Sequence, residues 1–220
     1  MIRSAIILGV DLSLTSTGLV VVPSEWDYCW RRVYAVSVGL ALGKQASVAD
    51  QIHRRRAIAD DICRVMVHRD VTHVWIEGYP AGGGKVFALD KLAELGGVVR
   101  DNIMARTGIA AQTAPQSTAR KLLLGRLPSH HRKEHVVEAL RVAGAGFADA
   151  DQADAFVAAN YGLSELGAPC LAACLWRPQD GAVIADPRAV DVLSGVDTGC
   201  TSSRRRRSSP AAVRGSTTAA

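Results

Sequence analysis

Residues 5–22, AIILGVDLSLTSTGLVVV, decide the architecture. Ala5 to Asp11 is a near-continuous apolar run of strand length, the pattern of a strand covered on both faces. A short Ser/Thr turn separates it from Gly18 to Val22, and Arg32 to Leu40 (RVYAVSVGL) alternates as a third strand, so the opening predicts an antiparallel meander. Asp11 ends the first strand. A carboxylate is tolerated after such a run only where the backbone is about to leave the core.

Beyond the meander the period becomes helical. From Ser47 to about Arg69, Val48, Ile52, Ile58, Ile62, Val65 and Met66 form one stripe, with Arg54, Arg55 and Arg56 outside it. Thr72 to Ile76 (THVWI) is a second buried strand, and Glu77 stands at its end as Asp11 does at the first. Gly78 to Lys85 (GYPAGGGK) reads as a loop, Val86 to Ala105 as a helix and Ile109 to Thr113 as a short strand. Pro115 opens another helix, where its missing N–H costs little. His131 to Ala143 and Asp149 to about Leu166 are helical as well. The expected fold is α/β, a mixed five-stranded sheet flanked by helices over residues 1–166. Residues 167–200 carry Pro and Gly punctuation and have no assignable role, while 201–220, rich in Ser, Thr, Arg, Gly and Ala, read as a disordered basic tail.

Composition is consistent with one such domain. The chain has 220 residues, 48% hydrophobic and 21% charged, enough for a sizeable core but too short for two ordinary domains. Its net charge of +5 equals the five arginines of the tail (Arg204, Arg205, Arg206, Arg207, Arg214), so residues 1–200 are formally neutral. Any nucleic-acid surface on the folded part must then be a local basic patch. The apolar opening is interrupted by Asp11, Ser13, Thr15, Ser16 and Thr17 and lacks a signal peptide's cleavage pattern, so the expectation is a cytoplasmic protein with no membrane partner. Five scattered cysteines (Cys29, Cys63, Cys170, Cys174, Cys200) argue against a disulfide framework. Cys170 and Cys174 could share a helix face, but no second Cys or His pair stands nearby to complete a zinc site.

The carboxylates carry the chemistry. Asp11 and Glu77 would meet if the first and fourth strands are neighbours, since ligands cluster at such strand ends. Asp149 to Asp154 (DADQAD) has the form of a capping box, with Asp149 as N-cap and Gln152 reaching back. Asp151 and Asp154, three apart, share a face at a helix N-terminus that favours negative charge. Singly, each acid has a bland reading as a turn former or a cap. Together, Asp11, Glu77, Asp151 and Asp154 would repel one another unless cations lay between them. Mg2+ takes oxygen ligands of this kind, and two such ions a few Å apart support phosphodiester hydrolysis, so all four acids are candidate catalytic and metal-ligating residues.

Gly9 to Gly18 (GVDLSLTSTG) resembles the first motif of the RuvC family of Holliday junction resolvases, and Trp75-Ile76-Glu77 its second. Ser117 to Gly125 (STARKLLLG) with Arg132-Lys133-Glu134-His135-Val136 resembles its basic region, and Asp151 to Ala155 (DQADA) its closing D-x-x-D-A. The similarity runs in order over about residues 5–162. It implies an RNase H-like fold and a homodimer that nicks a four-way junction with Mg2+, two ions per site, Mn2+ being a substitute. It also implies Asp11, Glu77, Asp151 and Asp154 as ligands, with Lys121 and Lys133 near the scissile phosphate, Lys133 among the catalytic groups, and Arg132 beside it on the DNA surface. The sequence departs from the family after Glu77, where Tyr79 stands two residues on and Pro80 and three glycines follow. Tyr79 is the candidate for stacking at the junction centre, and Lys85 lies in a loop expected at the DNA entrance.

Other functions fit less well. Gly82-Gly83-Gly84-Lys85 lacks the spacing of a phosphate loop, since Val86 follows the lysine. His130 and His131 read as part of a basic patch. An actin-like ATPase would need a second Asp-x-Gly half that is absent. A non-catalytic DNA-structure binder need not keep all four acids, whereas a nuclease for flaps, forks or RNA–DNA hybrids would share them.

Overall fold

The computed structural model describes residues 4–43, 45–79, 86–125 and 133–171, with 86–88 in backbone only. The meander forms as the sequence predicts: β1 (Ile6–Asp11), β2 (Thr17–Pro23) and β3 (Tyr34–Val38) pair antiparallel in turn. The turn after β1 is fixed by Thr17, whose hydroxyl donates to the Ser13 carbonyl and accepts from the Ser13 amide. After α1 (Val48–His68) the chain returns through β4 (His73–Glu77), which lies parallel beside β1. Next come α2 (Val86–Thr107) and β5 (Gln112–Ala114), parallel to β4. Three helices close the domain: α3 (Gln116–Leu124), α4 (Lys133–Val142) and α5 (Ala150–Glu165). The sheet order is β3-β2-β1-β4-β5, the mixed five-stranded sheet that the sequence implies.

Both faces of the sheet are covered, which is why β1 and β4 read as nearly continuous apolar runs. Alternation sends Leu8, Val10, Val74 and Ile76 to one core with Ile58, Ile62 and Met66 of α1 and Leu95, Val99 and Ile103 of α2. Ile7, Val20, Val22 and Trp75 face the other core with Leu123 of α3, Leu140 of α4 and Phe156 of α5. On the α5 side of the sheet, Trp26, Tyr28, Trp30, Phe147 and Phe156 form an aromatic cluster. The chain after α5 is tied down over it: the Trp26 indole donates to the Pro169 carbonyl, and Asn160 bonds both the amide and the carbonyl of Leu171.

Three local expectations need correction. Val48 and Ile52 are exposed, and Arg54, expected outside the stripe, is buried. The buried seam of α1 steps Arg54–Ile58–Ile62–Met66, and six residues at about 100° each carry Ile52 a third of a turn from Ile58. The last strand is Gln112–Ala114, because α2 runs on to Thr107 and Gly108 must turn at φ 70° first. At the start of α5, Asp149 does cap the Gln152 amide, but the Gln152 side chain accepts from the Ala148 amide and donates to Ser37 of β3. Lys85, Arg132, His130, His131, Pro80, the three glycines after Ala81 and everything from 172 onward, including the tail, lie outside the described residues. No described helix is long and apolar enough to cross a membrane.

Candidate metal centre

The register of β1 and β4 pairs Val10 with Ile76, so Asp11 and Glu77 are the next residues on adjacent parallel strands. Alternation with Ile7 and Trp75 turns both toward α5. That helix lies against the strand backbones because two positions lack side chains. A Cβ on Gly9 would come 2.0 Å from the Ala155 carbonyl oxygen, and one on Gly18 2.0 Å from that of Asp151. The helix start is also tied sideways, since Ser37 Oγ donates to Asp149 Oδ2 at 2.5 Å. Strand ends and helix start therefore converge by backbone contact.

Asp11, Glu77 and Asp154 can each offer a carboxylate oxygen, and these oxygens lie within 4.8 Å of one another. Asp154 is 1% exposed and Asp11 6%. Asp151 falls outside this triad, nearer solvent, and is joined to it through Lys133. The Lys133 ammonium stands 3.0 Å from Asp11 Oδ2, 3.0 Å from Asp154 Oδ2 and 3.2 Å from Asp151 Oδ1.

Behind the triad is a residue that sequence reading missed. Arg120 of α3 is buried, with Nη2 2.9 Å from Asp154 Oδ1 and 3.5 Å from Glu77 Oε1. Arg120 stands beside Lys121 in the basic stretch ARKLLLG, whose candidate by sequence is Lys121. Lys121 is exposed, because the buried face of α3 is Ala119, Arg120, Leu123 and Leu124. That helical spacing was the available signal. Tyr79 is half-exposed and lies along α2, its hydroxyl donating to the Leu92 carbonyl at 2.7 Å in a notch opened by Gly96.

Crowded acids shift one another. Burial, then the charge of Asp11 and a hydrogen bond with it, push Glu77 up to about 9 against the pull of Arg120. Glu77 therefore holds a proton at neutral pH and shares it with Asp11, whose own pKa is raised chiefly by burial. For Lys133, burial acts to lower the pKa, but Asp11 and Asp154 outweigh it and hold the ammonium charged.

The donor set suits a hard divalent cation. Glu77 Oε1 and Asp154 Oδ2 are buried and accept no hydrogen bond, even though Lys133 lies 3.0 Å from the latter; the contact is ionic and poorly aligned. Arg120, 3.5 Å from Glu77 Oε1, and Lys133 meet these oxygens as ion-pair partners only, and buried carboxylate oxygens left without a hydrogen bond would gain from a divalent cation between them. By contrast, a hollow of about 310 Å³ between α1 and α2 has Asp60 engaged by Arg106 and Asn102, and it lies away from the carboxylates.

Comparison with solved structures identifies the fold. The chain superposes on the Thermus thermophilus RuvC structure with a TM-score of 0.53 at 16% identity, covering 74% of this chain and 97% of that one. The fold is RuvC-like. The T. thermophilus RuvC in complex with Holliday junction substrate gives a TM-score of 0.55 at 15% identity over 74% of this chain and 96% of that one. The yeast mitochondrial Holliday junction resolvase scores 0.48 at 12% identity, covering 71% and 77%. No protein-family model and no curated protein matches the chain.

Proposed function

We propose that the protein is a Mg2+-dependent, structure-specific endonuclease that resolves Holliday junctions or related branched DNA in recombination and repair, acting as a homodimer with two active sites. The observation that carries this reading is the buried triad Asp11, Glu77 and Asp154, with two carboxylate oxygens that no hydrogen-bond donor satisfies. Asp11, Glu77 and Asp154 would hold one ion, with Asp151 completing the ligands of a second on the solvent side; Mn2+ would substitute. When bound, a pair of such ions supplies charge stabilisation to both sides of an in-line displacement at phosphorus. Arg120 keeps Asp154 and Glu77 in place from behind. Lys133, on the exposed side, offers an ammonium to the scissile phosphate, and Lys121, Arg132, Lys85 and Tyr79 are proposed to contact flanking DNA. Glu77 would have to give up its proton to hold an ion, so cleavage should strengthen with pH as that carboxyl is freed.

The reading is supported by the RuvC-like fold and the four acids in sequence order. Its test is incubation with labelled four-way junctions, flaps, forks and RNA–DNA hybrids in Mg2+. Paired nicks in the four-way junction are expected, with Asp11→Asn abolishing cleavage while junction binding survives. Full activity in that variant would refute the assignment.

A further inference from the structure

Lys133 does more than border the carboxylates. Its ammonium is close to Asp11 and Asp154, two of the three acids whose oxygens converge as a metal triad, and to Asp151 as well. Among the described residues, the two cations at the site are placed differently. Arg120 is 10% exposed at its side chain and comes from beneath, against Asp154 Oδ1 and Glu77 Oε1. Lys133 is 44% exposed, sits in the first turn of α4 and approaches from the open side against the Oδ2 atoms of Asp11 and Asp154. Of the two, only Lys133 has somewhere to go.

A divalent ion draws carboxylate oxygens to about 2.0–2.1 Å for Mg2+ and brings two positive charges next to whatever else those oxygens hold. An ammonium about 3 Å from the same oxygens would face that charge at a few Å with little water between them, which is strongly unfavourable. We infer that Lys133 is a displaceable internal cation: its ammonium and a divalent ion compete for the oxygens of Asp11 and Asp154, and ion binding moves Lys133 off the cluster and frees it for a DNA phosphate. The inference rests on the metal-nuclease reading and adds an order to it, ion first and lysine–phosphate contact second.

Competition and simple phosphate contact differ in sign. If Lys133 holds the cluster nine-tenths of the time, the apparent ion affinity is weakened about tenfold, since only the lysine-free fraction binds. Calorimetric titration of the full chain with Mn2+ alone should therefore show Lys133→Met binding about tenfold more tightly than wild type, whereas Lys133→Arg, which keeps a competing charge, stays near it. A second readout needs no variant: acylation of wild type by a succinimidyl ester, read by peptide mass spectrometry, should rise severalfold at Lys133 on saturation with Mn2+. Lys121, which is exposed and away from the triad, serves as the internal reference. Equal or weaker Mn2+ binding in Lys133→Met, with Lys133 acylation indifferent to the ion, overturns the exchange but leaves the nuclease reading standing. If neither wild type nor Lys133→Met takes up Mn2+, that reading falls too.

Discussion

Replacing Glu77 by glutamine should make the ion-free protein more stable while removing its capacity to bind the ion. Below about pH 4.3, Glu77 is protonated whether the chain is folded or not. Above that, the unfolded carboxyl ionises, but the folded one keeps its proton up to about 9, so the native state loses relative stability as pH rises between those limits. At pH 7.5 the gap is about three pH units at about 1.36 kcal/mol each, a ceiling of about 4 kcal/mol. Because the proton is shared with Asp11, part of this penalty remains in the variant, and a gain of about 2–4 kcal/mol is expected for Glu77→Gln. Urea unfolding in EDTA at pH 5.5, 7.5 and 8.5, followed by circular dichroism, measures it. The advantage of the variant should widen steadily across that series. In Mg2+ the wild type alone should gain stability by mass action, narrowing or reversing the order. A variant that is no more stable at pH 8.5, or whose advantage is independent of pH, would refute the account of Glu77 as a carboxyl kept neutral by burial and, next, by Asp11.

The close approach of α5 predicts that Gly18→Ala lowers cleavage by about a hundredfold, since a shift near 1 Å misplaces Asp151 and Asp154. Gly97→Ala, with nothing within 4 Å of its Cβ, should leave kcat unchanged. Arg120→Met leaves Asp154 buried without its arginine and should cost about 3 kcal/mol in the EDTA unfolding assay; a loss below 1 kcal/mol would show that the pair contributes little. Deleting residues 201–220 removes five arginines and should flatten the slope of log affinity against log salt by up to about 4.5, as read by junction-binding titrations at several salt concentrations. An unchanged slope would mean that the tail makes no phosphate contacts.

Much of this is legible in the sequence because apolar strand patterns are local. Val10-Asp11 and Ile76-Glu77 each announce a strand about to surface, and the parallel pairing of β1 with β4 then makes the acids neighbours. Asp149 as a cap was readable for the same reason, since its partner is three residues away. What escaped depends on distant contacts. Ser37 receives Gln152 across 115 residues, and nothing in either local pattern indicates it. Arg54 reads as a charge outside the apolar stripe and Arg120 is not singled out by its type, yet each sits on a buried helical face, where periodicity carries more weight than residue type. Arg120 lies about 100° from Lys121 around α3, on the face that packs inward.

The glycine contacts of α5 have a consequence for how this domain tolerates change. Where main chain rests on main chain, the distance between the acidic pair and Asp11 is set by atoms that every amino acid has in common, not by side-chain volume. Substitutions of Tyr28, beyond the opposite end of β2, therefore have little leverage on that distance. One end of the molecule is free to be re-engineered for stability or a new partner, while the other keeps its metric.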